Sequence, residues 1–199
     1  MKFTRNTIIV LVTAILLALS GSAVACVGKT LVVGMTGSVQ QDLMAQMLSL
    51  LIQERTGTTV KIVQLDSSLA AHDALLKADL DMYVEYTGVG QVQILNKTAI
   101  ADAGELYKAV KETYNEELNL VWLQPFGFEN KGVAPAGTVA AAAPVVRKDT
   151  LKKFPALARL INKLGGRIDS ATIAKLEASA KGGDSKQVAR EFLRENRLI

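Results

Sequence analysis

The period of the hydrophobic positions changes several times along this chain, and each change predicts an element. The apolar run Leu31-Val32-Val33-Gly34-Met35 suits a buried strand, and Thr36-Gly37-Ser38 follows as a loop leading into a helix. Over residues 39–55 the apolar side chains Leu43, Met44, Met47, Leu50 and Leu51 recur at intervals of three and four, the spacing of one helix face. Gly57 stands where a C-cap glycine belongs. Over residues 58–65 Val60 and Ile62 alternate with polar positions, a strand period. Strand, helix, strand is the opening of a parallel α/β sheet. Asp66, Ser67 and Ser68 can each cap the next helix, which keeps Ala74, Leu75 and Ala78 on one face. Met82 and Val84 then alternate with Tyr83 and Glu85, which predicts a short strand. Thr87-Gly88-Val89-Gly90 reads as a turn, with two glycines able to take positive φ and to admit a close neighbour.

In the second half, Asp102 caps a helix predicted to run to residue 117, with Leu106, Val110 and Tyr114 inward and Tyr107 and Tyr114 as core or rim. Residues 120–123 read as a strand whose Trp122 packs in the core. Residues 131–143 contain nothing large and no convincing period, so they read as a linker or loop. Order resumes at residues 144–146. Helices are predicted over 149–164, with a fresh turn at Pro155, over 170–180 and over 185–196, divided by Gly165-Gly166 and Gly182-Gly183.

Composition then bounds the class. The chain has 199 residues, 49% of them hydrophobic and 21% charged, enough for a sizeable core in one domain or two small ones. Lys2 and Arg5, an apolar run over residues 8–19 and the small residues before Cys26 form a secretion signal, too short to span a bilayer as a helix. Removing residues 1–25 takes away two positive charges and no acid, lowering the net charge from +4 to +2. With no basic cluster interleaved with aromatics, nucleic-acid binding finds no support. Cys26 is the only cysteine, so no intramolecular disulfide forms and no cysteine-based metal site exists. Its position is that of a diacylated lipoprotein cysteine. Ala23-Val24-Ala25 is equally a plain cleavage site, and the leucine usual three before such a cysteine is Ala23 here.

Chemistry is sparse. Asp81 and Glu85 would share a strand face, but there is no G-x-S-x-G elbow, no P-loop and no G-x-G-x-x-G after a strand, and the single histidine, His72, has no ligating partner nearby. Neither an enzyme nor a metal or cofactor site is expected. Binding fits better. Quaternary ammonium ions have no N–H to donate and are held by aromatic faces. Tyr86 and Phe128 both lie at the C-terminal ends of predicted strands, the edge where open α/β sheets bind ligands. Ser68 or its backbone can meet an anion at a helix start.

Asp81-x-Tyr83-x-Glu85-Tyr86-Thr87-Gly88 resembles the "D-x-Y-x-E-Y-T-G-T" segment of the substrate-binding proteins of glycine betaine/choline/carnitine (osmoprotectant) ABC transporters. Residues 34–41 resemble the family's "G-S-K-x-F-T-E-Q" opening, keeping Gly34 and Gln41 but carrying Thr36, Ser38 and Val39 for its lysine, phenylalanine and threonine. Residues 142–149 and 188–193 look like its C-terminal end. The resemblance implies a single periplasmic-binding-protein-like α/β lobe over residues 26–199, with a mostly parallel sheet flanked by helices and a helical C-terminal segment. The family's second lobe would be inserted at residues 131–143. It also implies a non-catalytic, exported and lipid-anchored solute-binding component. Its ligand is a small quaternary amine and its partner an ABC transporter membrane subunit. The implied ligand residues are Gln41, Ser68, Tyr86, Thr87, Gly88 and Phe128. The aromatic cage is depleted: Val89 replaces the last threonine of the turn, and Gly132 and Ala140 stand where the family has tyrosines. The other reading is an interaction or regulatory protein derived from such a binding protein, without ligand capture.

Overall fold

The computed structural model describes residues 30–182 and 184–199. The predicted secretion signal and Cys26 lie outside the described residues. Five strands, β1 (Leu31–Met35), β2 (Val60–Gln64), β3 (Met82–Tyr86), β4 (Leu120–Trp122) and β5 (Ala142–Arg147), form one sheet in the order β2-β1-β3-β5-β4. β1 pairs in parallel with β2 and β3, whereas β5 runs antiparallel to both β3 and β4. Four strands therefore point one way and β5 against them, the mostly parallel sheet expected.

The helices are α1 (Val39–Thr56), α2 (Ser68–Leu76), α3 (Thr87–Val89), which continues as a π-helical turn (Gly90–Ile94), α4 (Ala103–Glu117), α5 (Lys148–Lys153), α6 (Leu157–Ile161), which ends in a 3-10 turn (Asn162–Leu164), α7 (Ser170–Lys181) and α8 (Ser185–Glu195). Side-chain alternation on β3 divides the core in two. Met82, Val84 and Tyr86 face α1 and the C-terminal helices, while Tyr83 faces Leu75 of α2, Val110 and Tyr114 of α4, and Trp122. α1 is buried on most of its surface because the sheet takes one side and α7 and α8 the other. Its ends are made locally: Ser38 Oγ accepts the Gln41 N–H at 3.1 Å, and Gly57 closes the helix at φ 69°. Trp122 is core, as predicted.

Three expectations change. The Thr87-Gly88-Val89-Gly90 stretch is helical, and neither glycine has positive φ. They are small because neighbours crowd them: a Cβ on Gly88 would stand 2.5 Å from the Val139 carbonyl, and one on Gly90 2.8 Å from the Trp122 ring. The close neighbour is the protein itself. The small-residue stretch is also only partly a linker. Ala141 bridges Glu129, and Ala142 and Ala143 begin β5, buried on both faces between β3 and β4. Finally, α2 stops at Leu76, and Ala78 takes the left-handed region at φ 68°, outside the helix.

Asp81 acts as a clamp between elements. Its carboxylate accepts the Val32 N–H at 2.8 Å and the Thr150 hydroxyl at 2.7 Å, tying β1, β3 and α5 together. Among the described residues no helix is long and apolar enough to cross a membrane.

Candidate functional site

A groove of about 580 Å³ runs along the C-terminal edge of β1, β2 and β3. The start of α1 contributes Ser38 and Gln41, the start of α2 contributes Ser67, Ser68 and Leu69, the end of β3 contributes Tyr86, and the loop before β5 contributes Asn130 and residues 132–135. Its size is that of a small-molecule site. Both helix starts are capped by their own serines, Ser38 and Ser67, so two positive helix ends converge on one opening. The rim is apolar and open: Leu69 is 55% exposed and Val133 37%.

Of the six ligand residues predicted, three line this groove: Gln41, Ser68 and Tyr86. Gln41 is anchored, its Nε2 donating to the Val84 carbonyl at 3.1 Å. Tyr86 is only 4% exposed, and its hydroxyl donates to Gln40 Oε1 at 2.6 Å. Gln40 is held in turn by Asn130, which donates to the same oxygen at 3.0 Å, and by Glu177 of α7, which accepts from Gln40 Nε2 at 2.7 Å. One glutamine thus links α1, β3, the groove loop and the C-terminal helices, and it fixes the Tyr86 ring.

The other three are elsewhere. Thr87 is fully buried and spent on the protein: its N–H donates to the Ala141 carbonyl, and its hydroxyl exchanges hydrogen bonds with the Val139 carbonyl and the Ala141 N–H. Gly88 is packed under Val139. Phe128 is not at a strand end but in the loop after β4, where its carbonyl accepts the Ala142 N–H at 3.2 Å and its ring stacks on Phe126 at a 6.2 Å centroid distance inside the core. The motif that marked the site holds the site's floor together.

Sequence reasoning missed Gln40, Asn130 and Glu85. Gln40 adjoins the matched Gln41, in the place of the family's glutamate, and that was the available signal. Glu85 shares its strand face with no catalytic partner and acts as a hydrogen-bond acceptor: Oε1 accepts the Tyr86 N–H at 2.7 Å and the Ser68 hydroxyl at 3.3 Å. It is also wholly buried, and Oε2 has no hydrogen-bond partner. Burial raises its pKa from 4.5 to about 7, against the opposing pull of the Tyr86 N–H and the Ser68 and Tyr83 hydroxyls. The rings beside it respond in kind. Burial and the glutamate raise the Tyr83 and Tyr114 hydroxyls, so both stay neutral. His72 lies edge-on to Tyr114, and burial lowers its pKa. Among the described residues no group of acids, histidines or cysteines is arranged to hold a metal.

The sequence matches the family described as the substrate binding domain of ABC-type glycine betaine transport systems over residues 29–134 and 131–195, two segments that meet in the groove loop. The carnitine transport binding protein OpuCC of Listeria monocytogenes is 32% identical over 127 residues, 63% of this chain and 38% of that protein. The glycine betaine-binding protein YehZ of Escherichia coli is 33% identical over 128 residues, 62% and 37% of the respective chains. The alignments thus take in less than two fifths of these relatives' length. Among solved structures, a glycine betaine/carnitine/choline ABC transporter superimposes with a TM-score of 0.79 at 18% identity, covering 86% of this chain and 99% of that one. Apo YehZ from Escherichia coli superimposes with a TM-score of 0.75 at 17% identity, covering 86% and 100%.

Proposed function

Since this chain belongs to the family of substrate-binding domains of ABC-type glycine betaine transport systems, we propose that it is a non-catalytic, exported solute-binding lobe that receives small quaternary amines such as glycine betaine, choline or carnitine and presents them to a transporter's membrane subunit. The observation that carries this reading is the groove at the C-terminal sheet edge, where Gln41, Ser68 and a Tyr86 ring held by Gln40 face one opening. In this reading the Tyr86 ring takes the methylammonium group and the converging starts of α1 and α2 take a carboxylate, where the ligand has one.

The lobe grips weakly by itself. One aromatic face gives about 0.5–2 kcal/mol, against roughly 8 kcal/mol for a micromolar site, and the open rim leaves a small ligand half in water. Residues 26–199 are read as one lobe whose opposite wall belongs elsewhere; the division of the family match at residues 131–134, in the groove loop, supports this. Residues 1–25 serve as the secretion signal, and a lipid on Cys26 anchors the protein at the outer face of the membrane.

Calorimetric titration of choline, glycine betaine and carnitine into the purified lobe tests the site. The expected result is millimolar binding that Tyr86→Leu, which removes the ring but fills the space, weakens several-fold. Micromolar binding with the same heats in Tyr86→Leu would rule the groove out. For the anchor, Cys26→Ser is expected to move the protein from the membrane fraction to the soluble one.

A further inference from the structure

Glu85 sits behind the groove with no counterion. Its Oε1 is bonded to two groups that line or frame the opening, the Ser68 hydroxyl and the backbone N–H of Tyr86, while its Oε2 is buried without a partner. The groups packed around it are neutral. Its own strand contributes Tyr83, α2 contributes Ser68, α4 contributes Tyr114, and β5 contributes Ala143, paired with it across the sheet; His72 of α2 lies edge-on to Tyr114. None of these is a lysine or arginine. A buried carboxyl in such surroundings holds its proton to a higher pH than a free one, and positive charge arriving nearby makes it easier to lose. Both groups bonded to Oε1, Ser68 and Tyr86, line the groove.

We propose that Glu85 is the groove's buried countercharge: at acidic to neutral pH it holds its proton while the groove is empty and loses it when a net cation enters, so that cation uptake releases a proton. This rests on the reading of the groove as a quaternary-amine site and adds to it a positioning residue and a pH dependence. Glu85 does not touch the cation. It acts through Ser68 and Tyr86, whose bonds to Oε1 tighten as the carboxyl becomes an anion. The direction is fixed by linkage: a ligand that prefers the ionised form binds more tightly where that form is more abundant. The burial that raises the carboxyl to about 7 puts the change between pH 6 and pH 8. Tyr83 and Tyr114, raised, and His72, lowered, are not charged in the upper part of that interval.

The test is calorimetry with choline chloride at pH 6 and pH 8, each in two buffers of different ionisation heat, on the wild type, Glu85→Gln and His72→Asn. Glu85→Gln keeps the acceptor oxygen for Ser68 and Tyr86 without the charge, and circular dichroism establishes that each variant is folded. The expected result for the wild type is a Kd about tenfold lower at pH 8, with close to one proton released at pH 6 and few at pH 8, since the ionised fraction of a group titrating near 7 rises by about that factor. In Glu85→Gln the proton release disappears and the Kd becomes independent of pH, about tenfold or more weaker than the wild type at pH 6; in His72→Asn the wild-type behaviour remains. Choline binding with no proton release, or with the same release in Glu85→Gln, overturns the proposal and leaves the site standing. No choline heat at either pH overturns both.

Discussion

Tyr107 shows how one side chain can license another. β5 carries Pro144 in mid-strand, where it has a neighbour on each side, a place proline seldom occupies because it cannot donate to the ladder. On the β4 side the Leu123 N–H donates to the Pro144 carbonyl at 2.9 Å, and the return bond to the Leu123 carbonyl is the one proline lacks. The Tyr107 hydroxyl makes it instead, at 3.0 Å from α4. Tyr107→Phe leaves that carbonyl unpaired and is expected to cost about 1–2 kcal/mol, measured as a lower urea midpoint with an unchanged m-value. Gly88→Ala forces a methyl against the Val139 carbonyl and is expected to cost about 1–3 kcal/mol by the same measurement. At this scale the sequence was legible for identity and not for role. Gly88 and Gly90 stood out, but what approaches them is the Val139 loop for one and the Trp122 ring of β4 for the other, which no local pattern carries.

Helices were legible where apolar side chains recur at the helical period, even for α1, which is covered on most of its surface. α1, α4 and α8 each present apolar side chains at three and four, and their predicted bounds lie within a residue or two of those observed. β5 was not identified as a strand, because it is covered on both faces and so does not alternate, and because Ala142, Ala143 and Pro144 have low strand preference. Two predictions belong here. Ser38→Ala removes the cap of α1 at the groove edge and is expected to lower stability by about 0.5–2 kcal/mol in urea unfolding. Leu193→Ala, in the middle of the α8 face that covers α1, opens a hole in the main core and is expected to cost about 2–5 kcal/mol, enough to lower the melting temperature by several degrees.

For the molecule as a whole, Glu85 governs how stability responds to pH. Below about 4.5 the carboxyl is protonated in both the folded and the unfolded chain. Between 4.5 and about 7 the unfolded chain gives up the proton and the folded one keeps it, so folding is opposed increasingly as pH rises through that window and the loss is complete above it. The shift corresponds to roughly 3 kcal/mol. Glu85→Gln is therefore expected to be more stable than the wild type at pH 8 and to converge on it near pH 5, read from urea unfolding at each pH; parallel curves would remove Glu85 as the cause. Fold class and the sheet edge that carries the groove were readable from the order of periods alone. The Gln40 hub was not, because it joins Tyr86, Asn130 and Glu177 from three separate segments to α1.

The middle position of β5 has a consequence for how the chain is made. A ribosome delivers β1 to β4 first, yet β4 touches the sheet only through β5. Until residue 147 has emerged, β3 carries a bare edge and β4 has nothing to join. The nascent sheet is thus held open by its own topology until β5 itself has been delivered.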